Sequence, residues 1–576
     1  MRRFGSSVWG AFVLAASVGV GAGSAAAQTV SRFGVPIPMR DGIRLVANVW
    51  IPDGRGRFPA ILLRTPYDKT AQFTRYRLTN YLKAGYAVVV QDTRGRGDSE
   101  GRFDFYFPEG RDGYDTIEWI AAQPWSNGRV GTDGGSYLGT VQWLAARERP
   151  PHLSCMIPTV SSGRLFDEIP YLGGAFRLDW ALAWLHMTSG RVDQSGLNGL
   201  IQWDSLLVQR PLVRLDSLMG RPMRLYQQFL AHPTLDAYWK RIHFTDRDFA
   251  NITIPTLTFT GWFDGDQSGA LSYWDGMSRR PSGLGDNYLV IGPWTHTGSY
   301  LGGALSVGAF RFDSAAIIKT QDLRIKFFDW CLKQSRPRFD EPRVRAYVMG
   351  SNRWVEGDRY PLERTETRSY YLRSGGRANS LDGDGALSLE APADDPPDRF
   401  EYDPSRPVPS SDPATDQREI ERRSDVLVYT TAELDSAVNV LGRVIVELTI
   451  ASDALDTDFT AKLIDVAPDG AAVLLGPVST GVIRARYRNG PGRLESLVPG
   501  KATPVRIELA DVGHSFLAGH RIRIEVSSSA FPFISANPNT GRPIATDTTW
   551  RVAKQTVYHD RARPSRLLLP VISFSR

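Results

Sequence analysis

The stretch Val130–Thr140, VGTDGGSYLGT, restricts the fold of this chain more than any other segment. It reads as a strand, a glycine-dense turn and a helix, with one serine, Ser136, at the apex. A side chain presented at a sharp strand-to-helix junction needs neighbours that tolerate unusual backbone angles, and Gly134, Gly135 and Gly139 supply them. From Tyr137 to Arg147, Val141, Leu144 and Ala145 recur at helical spacing, so a helix starts directly after the serine and aims its first amides toward it. The usual elbow of this kind has glycine two residues after the serine; here Leu138 holds that place and Gly139 follows. Taken alone, a Gly-Gly-Ser turn is as readily structural as catalytic, so its partners must decide.

The surroundings extend the pattern. Between Ile43 and about Lys333 the chain alternates strands, at Ile43–Ile51, Ala60–Leu63, Ala87–Val90, Arg129–Thr132, Thr256–Thr260 and Asn287–Ile291, with helices such as Gly110–Ala122 and Ser314–Lys333. That rhythm predicts a mostly parallel sheet covered by helices. The alternation stops between about Gly163 and Asn251, where a mainly helical, aromatic-rich insertion carries Phe176, Trp180, Trp184, Trp203 and Trp239 and is placed to roof a pocket. Short alternating strands follow Pro342, at Val426–Thr430, Val444–Ile450, Phe459–Val466, Val505–Leu509 and Ile522–Ser527, and predict an all-β sandwich of jelly-roll type. Arg373–Glu419, rich in Gly, Pro, Asp and Ser, reads as a surface excursion. The expected division is therefore 28–162 with 252–342 as the α/β domain, 163–251 as the cap and 343–576 as the sandwich.

Residues 1–27 carry Arg2-Arg3, an apolar run from Val8 to Val20 and Ala25-Ala26-Ala27 before Gln28. This predicts a signal peptide cleaved near Ala27 and an exported, periplasmic or secreted protein, the segment being too short and glycine-rich for a stable membrane anchor. The Arg pair leaves the export route open. Charge argues against a nucleic-acid partner, since the formal +6 is spread among 68 basic and 62 acidic residues without a basic stripe. The two cysteines, Cys155 and Cys331, are too few for a metal cluster; buried free thiols are the default, and an oxidising compartment would allow one bridge.

A serine nucleophile needs a histidine to take its proton and a carboxylate to orient that histidine, in the chain order serine, acid, histidine for this kind of sheet. Among eight histidines, His296 follows the strand ending at Ile291, and Asp264 follows the preceding strand, both at the edge where catalytic groups of parallel sheets collect. The others fit less well: His514 and His520 belong to the sandwich, His559 to the tail, His152 follows two prolines, and His186, His232 and His243 sit in the cap. Asp92 precedes the serine and opens a glycine-rich turn, which makes it a loop-pinning residue. For the oxyanion, the Tyr137 backbone N–H is one donor by position, and Tyr67, just after the strand at Ala60–Leu63, offers a hydroxyl as the second.

Together these residues make the chain resemble the cocaine-esterase-like hydrolases and their relatives, the α-amino acid ester hydrolases, glutaryl acylases and Xaa-Pro dipeptidyl peptidases. The resemblance covers TPYDK at Thr65–Lys69, DTRGRGDSEG at Asp92–Gly101, GGSYLG at Gly134–Gly139, GWFD at Gly261–Asp264 and GPWTH at Gly292–His296. It continues with GHRIRIEVSSSAFP at Gly519–Pro532 and NPNTG at Asn537–Gly541. It implies an α/β-hydrolase core, a helical cap and a C-terminal jelly roll, with Ser136, Asp264 and His296 as triad and Tyr67 and Tyr137 as oxyanion hole. In this family the glycine falls three residues after the serine, which accounts for Leu138. No metal or organic cofactor is expected, and the partner is a small-molecule ester or amide.

Substrate choice is less constrained. Trp180, Trp184, Phe176, Trp262 and Trp294 are candidates for an aromatic acyl pocket, although aromatic residues at such spacing also build cores. Asp266, two residues after Asp264, would favour a substrate bearing an ammonium group, with Asp236, Asp167, Glu168 and Asp179 as weaker candidates. Amino acid esters, acyl transfer to an amine and dipeptidyl-peptidase activity all stay open, as does a homo-oligomer. A reading from another class is a secreted carbohydrate- or surface-binding protein whose hydrolase core is vestigial.

Overall fold

The computed structural model describes residues 30–477 and 481–574, without the side chains of 72–76, so the expected signal segment lies outside the described residues. Its centre is a ten-stranded sheet. In spatial order the strands are Val30–Pro38, Arg44–Ile51, Ala87–Asp92, Phe58–Thr65, Ser126–Gly135, Leu153–Thr159, Thr256–Phe263, Asn287–Thr295, Val344–Val348 and Arg353–Gly357. From Ala87–Asp92 to Val344–Val348 every pairing is parallel, and the outer strands pair antiparallel. The inner strands are buried along nearly their whole length, as expected where helices cover both faces.

This sheet is longer than the sequence pattern suggests. Val344–Val348 and Arg353–Gly357, expected in the sandwich, instead complete the hydrolase sheet. Their alternation is that of any half-buried strand, and only the partner they find distinguishes the two domains. Two helical expectations also change. Ser314–Lys333 divides into a short 3₁₀ turn at Ser314–Ala316 and a helix at Thr320–Cys331. The cap contains helices such as Leu178–Thr188 and Arg224–Ala231, but it opens with a three-stranded sheet of Leu165–Asp167, Ile169–Leu172 and Ala175–Phe176.

From Thr365 onward the chain is a β-sandwich built on long antiparallel pairs, chiefly Val438–Ser452 with Thr503–Phe516 and Thr365–Arg373 with Arg566–Ile572. The supposed surface excursion contributes to it: Ala386–Ser388 pairs with Thr365–Arg373, and Asp398–Tyr402 with Ala553–Tyr558. The sandwich is joined to the hydrolase domain by backbone bonds between Met349 and both Gly513 and Ser515. Gln267 adds to this junction, its side-chain amide bonding the Asp511 backbone N–H and carbonyl at 2.9 Å each. Cys155 and Cys331 form a disulfide across a sequence separation of 176, which corrects the expectation of free thiols. Among the described residues no helix is long and apolar enough to cross a membrane.

Candidate active site

Strand register assembles the site. Strands Thr256–Phe263 and Asn287–Thr295 run parallel, with Phe263 opposite Thr295, so the next residues, Asp264 and His296, emerge side by side. Strand Ser126–Gly135 ends opposite Thr159 and pairs with Phe58–Thr65 on its other side, which brings Ser136 and Tyr67 to the same edge. His296 Nδ1 lies 2.7 Å from Asp264 Oδ1. Asp264 is fully buried and also receives the Asp266 backbone N–H and the Thr260 hydroxyl. The imidazole, in contrast, keeps 40% of its side-chain surface exposed.

The Ser136 turn is backbone chemistry made visible. Ser136 has φ 59° and ψ −127°, a conformation costing on the order of 1–3 kcal/mol for a residue with a side chain. Three glycines permit it. A Cβ on Gly134 would lie 2.5 Å from that of Leu138; one on Gly135 would lie 2.4 Å from the Tyr300 ring; one on Gly139 would lie 2.8 Å from the Thr159 carbonyl. Gly139 therefore serves close packing of the helix on the sheet, and Leu138 folds back over Gly134. Tyr300, four residues after His296, touches both the imidazole, at a ring separation of 5.7 Å, and Gly135, so the helix bearing His296 is seated against the serine turn.

Tyr67 is half-buried, and its hydroxyl accepts from Trp184 Nε1 at 3.2 Å. Burial pushes this phenol up to about 12, against the opposing pull of Trp184 and Ser136, so it stays protonated and able to donate. The Tyr137 N–H is the first of the helix Tyr137–Arg147, while its side chain points back into the core and donates to Phe105 O (2.6 Å) and Glu109 Oε1 (2.9 Å). For His296, burial opposes the charged ring, but the charge and hydrogen bond of Asp264, with Asp266 beyond, outweigh it and raise the imidazole to about 9.

Asp266 begins the helix Gln267–Ser278, half-buried, with a carboxylate oxygen 4.0 Å from His296 Nδ1. Burial pushes it up to about 6; Asp264 adds to that, while His296, Arg177 and a hydrogen bond from Ser162 pull the other way. Behind it, Glu168 is buried and receives the N–H groups of Gly163, Arg164 and Gly269, and burial together with Asp266's charge holds it well above the ordinary carboxylate range. Ligand atoms of Asp264, Asp266 and His296 all lie within 4.8 Å of one another. A cation held by all three would take up a carboxylate and an imidazole that are already bonded to each other.

The aromatic candidates separate. Trp184 stacks on Trp180 at 5.6 Å and on Tyr137 at 5.9 Å, with Phe105 edge-on at 5.6 Å, so this part of the cap stands directly over the serine turn. Trp262, expected beside the substrate, is instead a fully buried junction residue: its indole N–H donates to Tyr347 O at 2.6 Å and its ring fills the space over Gly513. Trp294 and Phe176 are likewise core residues, the first donating to Ala316 O, the second packed on Tyr171 and Tyr226. Asp92 pins its loop by accepting the Lys69 backbone N–H and ammonium.

Comparison with known proteins places this geometry. The family model described as X-Pro dipeptidyl-peptidase (S15 family) matches residues 41–298, and that of the X-Pro dipeptidyl-peptidase C-terminal non-catalytic domain matches 337–568. A cocaine esterase of Rhodococcus sp. (strain MB1 Bresler) is 34% identical over 572 residues, covering 93% of this chain and 98% of its own. The chain belongs to the S15 family. Among solved members, an α-amino acid ester hydrolase is 27% identical with a TM-score of 0.83, over 96% of this chain and 98% of that one. An aminopeptidase from a marine sediment Thaumarchaeota archaeon is 28% identical with the same TM-score of 0.83, over 95% and 96%. As an S15 member with these relatives, the protein is a serine hydrolase of esters.

Proposed function

We propose that Ser136 is the nucleophile of this S15 enzyme, with His296 as base and Asp264 as its orienting acid. The 2.7 Å Asp264–His296 bond, at the same sheet edge as a serine held at φ 59°, is the observation that carries the reading. His296, its Nδ1–H held by Asp264, removes the Ser136 proton through Nε2; the serine oxygen attacks the ester carbonyl, and the tetrahedral anion is held by the Tyr67 hydroxyl and the Tyr137 N–H. His296 then protonates the leaving alcohol, and water, activated in the same way, releases the acid. Substituting Ser136→Ala tests this: turnover of p-nitrophenyl esters should be lost, and retained turnover would remove Ser136 from the mechanism.

For the substrate, we infer a small ester with an aromatic acyl group seated against Trp180, Trp184 and Phe105. The pair Asp266 and Glu168 favours a second feature, an α-ammonium on that acyl group, because a cation there would relieve the repulsion between the half-buried Asp266 and the buried Glu168 carboxylates. A panel of p-nitrophenyl acetate, phenylglycine methyl ester, a glutaryl amide and Gly-Pro p-nitroanilide separates the readings. Preference for the phenylglycine ester, selectively lost in Asp266→Asn, supports the ammonium site; equal loss on all four contradicts it, and preference for the anilide favours the dipeptidyl-peptidase reading. A glycan-binding protein that no fluorophosphonate labels would instead be the vestigial hydrolase. The Cys155–Cys331 bridge supports export, since such bonds persist in oxidising compartments. An N-terminus at Gln28 in protein recovered from the periplasm or medium would bear that out, and an intact Met1 in the cytoplasm would refute it.

A further inference from the structure

Directly beneath the Ser136 turn lies a buried ion cluster that acyl transfer itself does not use. Asp133, three residues before Ser136, is buried and accepts Arg324 Nη1 and the Gly134 N–H on one oxygen; Arg77 Nη1 (3.2 Å) and the Tyr81 hydroxyl (2.7 Å) donate to the other. The other fork of Arg324, Nη2, donates to Thr159 Oγ1 at 2.6 Å. Thr159 is the residue whose carbonyl receives the Ser136 N–H, at 3.0 Å. One guanidinium thus grips the strand entering the turn and the neighbouring strand that holds the serine's own amide. Arg324 stands on the helix Thr320–Cys331, and the disulfide from Cys331 to Cys155 fastens that helix to the strand Leu153–Thr159, which ends in Thr159.

We infer that Arg324, acting through Asp133 and Thr159, is a positioning residue that holds the Ser136 turn in its reactive conformation. Apolar packing would fill this space at no greater cost, since replacing a buried ion pair by hydrophobic side chains is often neutral or stabilising. What apolar residues would not supply is direction. A strained backbone persists only where its surroundings over-determine it, and here the two strand ends that define the turn are tied by a planar fork whose donors fit two fixed acceptors. The cluster reaches the chemistry through the placement of the Ser136 oxygen, so its loss should be felt in the acylation step.

The inference rests on Ser136 being the nucleophile, and Ser136→Ala is the separate control: turnover surviving in that variant would overturn the nucleophile assignment, whatever Arg324 does. The test compares wild type with Arg324→Met, Arg324→Lys and Thr159→Val, measuring kcat and KM on p-nitrophenyl acetate and the rate and final stoichiometry of fluorophosphonate labelling. The expected result for Arg324→Met is full labelling at completion, a labelling rate and a kcat each at least tenfold lower, and KM within twofold of wild type. Arg324→Lys should recover part of the loss. A purely structural role would leave a fraction of molecules unlabelled at completion while kcat per labellable site, measured on the unlabelled enzyme, stayed at the wild-type value, and that outcome would overturn the inference. Should Arg324→Met fail to fold, Thr159→Val, which removes one acceptor and keeps the shape, carries the same criteria.

Discussion

Replacing Tyr67 by phenylalanine removes a single oxygen atom, the one that accepts from Trp184. That hydroxyl accepts from Trp184 Nε1 at 3.2 Å, so its own proton is left to donate to the anion the proposed mechanism places there. Removing one oxyanion donor costs about 10²- to 10³-fold in kcat, on the order of 2.7–4 kcal/mol of transition-state stabilisation. The same change leaves the buried Trp184 indole N–H without its acceptor, a loss of about 1–3 kcal/mol that falls on the stability of the resting protein. The two effects separate by assay. Stopped-flow acylation with p-nitrophenyl acetate should show the large fall in kcat with little change in KM, and thermal unfolding should show a lower Tm. Adding Trp184→Phe, which deletes the N–H but also exchanges the indole for a smaller phenyl ring, should not recover kcat. A Tyr67→Phe enzyme within threefold of wild-type kcat would refute the assignment of this hydroxyl to the oxyanion, and a change confined to KM would make it a ground-state contact. Because burial holds the phenol up at about 12, its ionisation should not shape the rate at or below pH 9.

Other expectations follow from the same geometry. His296 must be neutral to accept the serine proton, and it is raised to about 9, so kcat/KM should climb through that region as pH increases. Asp266→Asn removes one of the charges that raise it and should move this limb to lower pH; an unmoved limb would show that Asp266 does not act on His296. Reduction of Cys155–Cys331 opens a loop spanning 176 residues and should lower thermal stability, with about 5 kcal/mol as the chain-entropy bound. A reductant-independent Tm, or two thiols reacting in the unreduced denatured protein, would contradict the bridge. Trp180→Ala should raise KM for aromatic acyl esters and leave acetate esters little changed; equal effects on both would remove Trp180 from the acyl pocket.

The parts of the site legible in the sequence are those in which a local signal and chain order coincide. Ser136, Asp264 and His296 each follow a strand directly and Tyr67 comes two residues after one, and parallel register places strand ends together. Trp262 failed as a pocket residue because it lies on the strand itself, where its side chain reaches the sandwich junction rather than the sheet edge. Arg324 and Asp133 were illegible: they are separated by 191 residues, and nothing in either neighbourhood announces an ion pair. Glu168 looked like an ordinary cap acid until the fold buried it behind Asp266. The strands Ala386–Ser388 and Asp398–Tyr402 were hidden by flanking Gly and Pro, since a strand of three to five residues gains its stability from partners distant in the chain. The disulfide was open for the same reason, because pairing needs proximity that composition does not encode.

The central claim is that a covalent acyl-enzyme forms on Ser136. Mass spectrometry of the protein after fluorophosphonate labelling, followed by peptide mapping, tests it most directly. One adduct per chain, on the peptide containing Ser136 and absent from Ser136→Ala, is the predicted result; an adduct on another residue, or an active enzyme that is never labelled, would contradict it.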